Sequence, residues 1–280
     1  MELTKPRIVL LVMATVAAGF YMAQPPSGAP SWLVLVHAMI GAAFVAGGTN
    51  ALNQVAERDL DALMRRTADR PLPSGRVSVL EAASFAWFAG IAGVAYLAAF
   101  VNVTTAIIAA ATLVTYVFLY TPLKTRTPLA TLVGAVPGAL PVLGGWTAAG
   151  VGIDARAVVL FWIMFLWQIP HFLALAWMYR EDYARAGMRM LSVDDDEGRS
   201  TFAQAFVNTV ALLPISLVPT VLGMSGAIYF FGALLLSGWF IWTSWVATRQ
   251  RTVGAARKLF LTSLIYLPAL LLLMAVDRVA

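Results

Sequence analysis

Asn53, Glu57 and Asp61 stand at i, i+4 and i+8 at the end of a long apolar stretch. On a helix this spacing puts an amide and two carboxylates on one face, drifting about 40° per step. Arg58, Arg65, Arg66, Arg70 and Arg76 crowd the polar segment that contains and follows them. Carboxylates are hard oxygen ligands for Mg²⁺, and guanidinium forks match phosphate oxygens. Together, at a membrane boundary, they suit chemistry on a metal-bridged lipid diphosphate. Asp59 falls about 160° from Glu57 around such a helix and reads as a solvated or Arg-paired acid.

Two further clusters carry polar chemistry in apolar surroundings. Tyr120 and Lys124 share a helix face if that segment is helical, a hydroxyl and an ammonium within reach of one diphosphate, with Arg126 just beyond. The alternative is an interfacial Tyr beside a snorkelling Lys. The second cluster runs from Trp167-Gln-Ile-Pro-His171-Phe172 to Tyr179-Arg180-Glu181-Asp182-Tyr183. His171 lies within an apolar run, where an imidazole is expensive and usually faces the protein interior. It could ligate a metal, donate to a substrate, or bond a carbonyl freed by Pro170. His37 has no neighbouring motif and reads as structural. The acidic run Asp194, Asp195, Asp196, Glu197 reads as a solvated loop.

The elements that must position these groups are membrane helices. The chain is 60% hydrophobic and 12% charged, against roughly 25% charged in an ordinary soluble domain, so lipid must solvate much of its surface. Apolar runs near residues 8–23, 32–48, 80–101, 104–120, 129–149, 158–179, 202–222, 227–247 and 259–276 predict nine spans. Of nineteen Lys and Arg, all but Arg156 and Arg278 fall on one side of that topology; of fourteen acids, all but Asp154 and Asp277 do. The basic excess predicts a cytoplasmic N-terminus and an outside C-terminus. The acids that accompany it put the chemistry on the cytoplasmic face. The net charge of +5 therefore reads as orientation rather than nucleic-acid binding.

The first run reads as a retained span rather than a cleaved leader, since its removal would move the acidic motif to the basic-poor face. No transit-peptide pattern precedes it, which favours a bacterial cytoplasmic (inner) membrane over a mitochondrial one. With no cysteine there are no disulfides, thiolate ligands or Cys nucleophile. P-loop, GxSxG and HExxH patterns are absent too. Prolines at 137, 141, 170, 214, 219 and 268 loosen the later spans, as backbone lining a central cavity can. The expected fold is one all-α domain, residues 1–280, with its cavity open to the cytoplasmic side. The two polar clusters, four spans apart, suggest a duplicated four-helix unit.

With these residues identified, the chain resembles the UbiA-type intramembrane prenyltransferases, and within them the branch that farnesylates heme. The family's Asn-x-x-x-Asp-x-x-x-Asp signature corresponds to Asn53, Glu57 and Asp61, and its Tyr-x-x-x-Lys signature to Tyr120 and Lys124. The heme branch is matched by Leu3-Thr-Lys-Pro-Arg7, RRTADRPLPSG from Arg65, the run from Gly134 to Trp146, WQIPHF from Trp167, and Asp182-Tyr-x-x-Ala-Gly-x-x-Met-Leu191. One departure concerns the family's second Asp-x-x-x-Asp, where this chain has Tyr179 and Tyr183. That leaves Asp182, with Glu181 behind it, as the nearby carboxylate.

The resemblance implies transfer of a farnesyl group from farnesyl diphosphate to a vinyl group of heme B, with addition of water and release of diphosphate. It implies Mg²⁺ on Glu57 and Asp61, with Asn53 orienting them and Asp182 as a further ligand candidate. Lys124, Arg66 and Arg70 would face the diphosphate; Tyr120, Arg126, His171, Tyr179, Arg180 and Tyr183 complete the expected substrate-binding set. The product would pass to a downstream heme A synthase or oxidase assembly factor. The alternatives are a prenyltransferase for an aromatic or quinone-precursor acceptor, a transporter of an anionic lipid or porphyrin, and a non-catalytic factor that hands heme on.

Overall fold

A computed structural model describes residues 2–24 and 31–279. The described residues contain nine helices long and apolar enough to cross a membrane. After a short 3₁₀ helix (Glu2–Thr4), the helices in chain order are α1 (Pro6–Ala23), α2 (Trp32–Ala56), α3 (Arg58–Leu63), α4 (Val79–Phe100), α5 (Val103–Val114), a π-helical stretch (Thr115–Tyr120), α6 (Thr121–Leu123), α7 (Ala130–Ala148), α8 (Ala155–Met178), α9 (Arg180–Arg185), α10 (Arg199–Val221), α11 (Ala227–Gln250) and α12 (Val253–Val276). The stretch from α5 to α6 is one span, Val103–Leu123. The all-α membrane architecture expected from composition is what the chain adopts.

Side-chain caps fix several helix starts. At α4, Ser78 Oγ accepts from the Glu81 backbone N–H while Glu81 Oε2 accepts from that of Ser78, a reciprocal capping box. Asn102 caps α5 and Asp154 caps α8. The acidic run lies in the largely exposed turn before α10, where Asp195 Oδ2 accepts from Thr201 N–H at 2.7 Å.

Large apolar side chains such as Leu33, Phe88 and Leu235 point outward, the surface a hydrocarbon solvent requires. Inside, small residues let helices approach closely. A Cβ at Gly19 of α1 would overlap the Val142 carbonyl of α7, and one at Gly145 of α7 would overlap the Val16 carbonyl of α1. This crossing joins α1 to α7 at the end away from the Arg-rich loops. Both helices also line a cavity, α1 from Ile8 to Ala18 and α7 from Thr131 to Gly144.

Two spans end alike at the charged face. Helix α2 stops at Glu57 and continues as the six-residue α3, and α8 stops at Tyr179 and continues as the six-residue α9. The two polar clusters of the sequence thus both occupy helix–break–helix corners.

Candidate active site

The break at Glu57 leaves the local register intact. Glu57 N–H donates to the Asn53 carbonyl at 2.9 Å and Asp61 N–H to the Glu57 carbonyl at 2.7 Å. These i→i−4 bonds keep Asn53, Glu57 and Asp61 on one side, all three buried and all lining the cavity. Each has a specific partner. Asp61 accepts from Arg70 Nη1 at 2.8 and 2.6 Å. Glu57 Oε1 lies 2.7 Å from the Lys124 ammonium. That contact is an ion pair whose angles fall short of a hydrogen bond, so Oε1 is a buried carboxylate oxygen without a directed donor. Asn53 donates to Thr121 Oγ1 at 3.2 Å and accepts from Lys5 Nζ at 3.1 Å.

The π-helical stretch ends at Tyr120 and delivers Tyr120 and Lys124 together, the ammonium 4.5 Å from the ring centroid. Such insertions within α-helices are frequent at functional sites. Burial works against the Lys124 charge, but the Tyr120 face and the Glu57 carboxylate outweigh it and hold the ammonium well above its ordinary range. The expected pairing of this hydroxyl and ammonium with the acidic face is present.

The second corner differs. Arg66 lies over the Tyr179 and Tyr183 rings, 4.8 and 5.8 Å from their centroids, and reaches the Tyr183 hydroxyl at 3.4 Å. Aromatic faces therefore hold a cation here. Tyr183, Arg66 and Arg70 line the cavity. Asp182 does not join Glu57 and Asp61. It pairs with Arg185 and lines a separate shallow pocket of about 220 Å³ with Arg65, Tyr179 and Arg180, whose guanidinium stacks on Trp177. Arg126 is exposed and outside the cavity lining.

The cavity has a volume of about 800 Å³. Its lining on α2 runs from Glu57 to Ala38, a rise of about 28 Å at 1.5 Å per residue. Beyond Asn50 and Thr49 the walls become apolar, with Val45, Leu97, Ile108 and Pro141. Where α1, α8 and α12 meet, the lining, here called the side arm, includes Leu11, Trp167, His171, Phe172, Pro268 and Leu272. Leu11 and Leu272 are also exposed on the outer surface, so this arm borders the lipid.

His171 is stacked between the Trp167 and Phe260 rings, and its Nδ1 is 2.8 Å from Ser263 Oγ. Ser263 already donates its hydroxyl proton to the Phe260 carbonyl at 2.6 Å. The Nδ1–H must therefore be the donor, which leaves the Nε2 lone pair uncommitted. His37 is elsewhere, bonded to Tyr96 and stacked on Phe100, as a structural histidine would be.

Reading the sequence missed Lys5 as a site residue. Leu3-Thr-Lys-Pro-Arg7 marked the segment, but nothing local showed that Lys5 reaches Asn53. Burial and the neighbouring Arg70 and Lys124 charges push its ammonium down to about 7.

A family model, the UbiA prenyltransferase family, matches residues 11–267. The chain belongs to this family. As a UbiA-family member it is similar over its whole length to the protoheme IX farnesyltransferase of Solibacter usitatus, with 47% identity covering 99% of this chain and 97% of that one. Among solved structures it superposes on a digeranylgeranylglyceryl phosphate synthase with a TM-score of 0.81 and 19% identity, covering 99% of this chain and 96% of that one. It also superposes on a UbiA homolog from Archaeoglobus fulgidus bound to GPP and Mg²⁺, with a TM-score of 0.70 and 16% identity, covering 98% of each chain. These two likenesses establish the fold.

Proposed function

We propose that the chain transfers the farnesyl group of farnesyl diphosphate to a vinyl group of heme B, giving heme O. The observation that carries this reading is a single cavity that joins a cation-rich carboxylate cluster, a long apolar wall and a side arm with an uncommitted imidazole nitrogen. The name of the Solibacter usitatus relative supports the choice of donor and acceptor.

The donor's diphosphate sits among Lys124, Arg66 and Arg70, with Tyr120 beside it, and its isoprenoid chain follows the apolar wall. Glu57 and Asp61, with Asn53 orienting them, fit Mg²⁺: they are buried hard oxygen donors, and Glu57 Oε1 has no directed hydrogen bond. When bound, the metal neutralises charge growing on the leaving group. The side chains around it do the same work, since fixed cations in a water-poor site stabilise developing negative charge without reorganising. Asp182 stands outside this ligand set.

The C1–O bond of the donor breaks and its electron pair leaves on the diphosphate. The wall is largely apolar and its Thr15, Thr105 and Thr112 hydroxyls are already hydrogen-bonded, which leaves the acceptor as the favoured nucleophile for the allylic cation. The vinyl π pair forms the new carbon–carbon bond, and the resulting porphyrin-stabilised cation takes a water oxygen and releases a proton. No side chain needs to act as a nucleophile.

The acceptor occupies the side arm, with His171 Nε2 offered to the heme iron and Trp167 and Phe172 against the macrocycle. It enters from the bilayer past Leu11 and Leu272. The charged end faces the cytoplasm of a bacterial inner membrane, and heme O leaves for a downstream heme A synthase or oxidase assembly factor.

The test is mass spectrometry of heme recovered after purified protein is incubated with heme B, farnesyl diphosphate and Mg²⁺, beside a sample containing EDTA. The expected product is heavier by one farnesyl and one hydroxyl group and is absent with EDTA. Diphosphate release without altered heme would transfer the reading to an aromatic acceptor. Neither signal from folded protein would favour a transporter.

A further inference from the structure

The cavity lining holds four cations, Lys5, Arg66, Arg70 and Lys124, against two carboxylates, Glu57 and Asp61. Arg70 and Lys124 neutralise the carboxylates, and Arg66 lies on tyrosine rings. Lys5 is left with a neutral partner, the Asn53 amide oxygen. Glu57 and Asp61 lie near enough to favour its charge, but burial and the Arg70 and Lys124 charges outweigh them, so an arriving anion is what would complete the site around this ammonium.

Its backbone is held as deliberately as its side chain. Lys5 has φ 50° and ψ 69°, left-handed and immediately before Pro6, which favours extended backbone in the preceding residue. Among the described residues the only other non-glycine with positive φ is Arg251, at the end of α11, where that conformation is an ordinary helix cap. Side chains on α2 hold the preceding residues in place. Asn50 Nδ2 donates to the Thr4 carbonyl at 3.1 Å, and Gln54 Nε2 donates to the Leu3 carbonyl at 2.8 Å. Glu2 is tied to Arg76 of the Arg-rich loop at 2.7 Å. Residues 2–5 thus form a strap across the end of α2, and the strained turn at its end sends Lys5 into the site. Backbone strain of this kind persists only where the surroundings enforce it.

We propose that Lys5 is a direct contact for the donor's diphosphate, delivered by this strap. The proposal rests on the prenyltransferase reading and adds a substrate contact to it. The diphosphate is favoured over a heme carboxylate because Lys5 is bonded to Asn53 and sits among the charges of Arg70, Lys124, Glu57 and Asp61.

The experiment is calorimetric titration of inorganic pyrophosphate with Mg²⁺ into the full chain in nanodiscs, with turnover measured on the same samples. Lys5→Met should weaken pyrophosphate binding about tenfold or more, as expected when a hydrogen bond to a charged group is lost. Lys5→Arg should bind within about threefold of wild type. Lys5→Gln retains a hydrogen-bonding group for Asn53 but no charge, so a purely structural role predicts rescue and a diphosphate contact predicts none. Gln54→Leu leaves Lys5 in place but removes an anchor of the strap, and it should reproduce part of the loss even if position-5 variants fold poorly. Wild-type affinity in both Lys5→Met and Gln54→Leu would overturn the proposal while leaving the prenyltransferase reading intact. Failure of the wild type to bind pyrophosphate or turn over would overturn both.

Discussion

Arg70 grips Asp61 through a single nitrogen, Nη1 lying 2.8 Å from one carboxylate oxygen and 2.6 Å from the other. Asp61 is fully buried, whereas the Arg70 side chain is a quarter exposed. The two residues are therefore unequal partners. Loss of the acid leaves a cation that water can still reach, but loss of the cation leaves an uncompensated buried anion.

That asymmetry separates catalysis from folding. Asp61→Asn keeps an amide oxygen facing Arg70 and should melt within a few degrees of wild type, while heme farnesylation falls about 10²–10³-fold, the scale of removing one charge-stabilising group from an active site. Arg70→Ala should lose activity and also about 3–5 kcal/mol of stability, the usual cost of breaking a buried pair from one side. Thermal unfolding in detergent and product mass spectrometry on both variants give the comparison. Equal melting temperatures for the two would show that the ion pair is structurally idle, and wild-type turnover in Asp61→Asn would remove it from the site.

Local periodicity accounts for what the sequence made legible. Nine spans could be marked because lipid demands long apolar runs, and Asn53, Glu57 and Asp61 could be grouped because i, i+4 spacing survives the break at Glu57. Asp182 illustrates where such reasoning stops. On α9 it is one residue from Tyr183, about 100° around the helix, so when Tyr183 faces the cavity Asp182 turns to Arg185 and the outer pocket. Motif proximity picked out this segment but could not give its rotation. Lys5 lies 48 residues from Asn53 and meets it through a left-handed turn that no composition signal announces. The Glu57–Lys124 pair is a tertiary contact of the same kind, visible only once α2 and the π-helical stretch are side by side.

The tautomer imposed on His171 by Ser263 gives a spectroscopic prediction. If Nε2 binds heme iron, titrating heme B into wild-type protein should produce the Soret shift of a nitrogen-ligated heme, and His171→Ala should abolish it. Ser263→Ala removes the acceptor that fixes the Nδ1–H and should weaken heme binding about tenfold, at the lower end of effects seen when a ligand's supporting hydrogen bond is lost. An unchanged Soret band in His171→Ala would end the ligand role, leaving a histidine that only packs between Trp167 and Phe260.

The crossing of α1 and α7 predicts a stability effect far from the charged groups. Gly145 faces the Val16 carbonyl with no room for a Cβ, and Gly19 faces Val142 in the same way. Gly145→Val must force the helices apart, at a cost of about 1–3 kcal/mol or more because backbone rather than a flexible side chain is in the way. The same displacement opens the apolar end of the cavity, where Val16, Ala18 and Gly144 form the wall. The variant should therefore melt lower and also show a raised KM for farnesyl diphosphate. Gly238→Ala is the matched control: it lies within α11, a Cβ there meets nothing within 4 Å, and its stability should be unchanged or slightly higher. Equal melting temperatures for Gly145→Val and Gly238→Ala would mean that this crossing does not close the chamber.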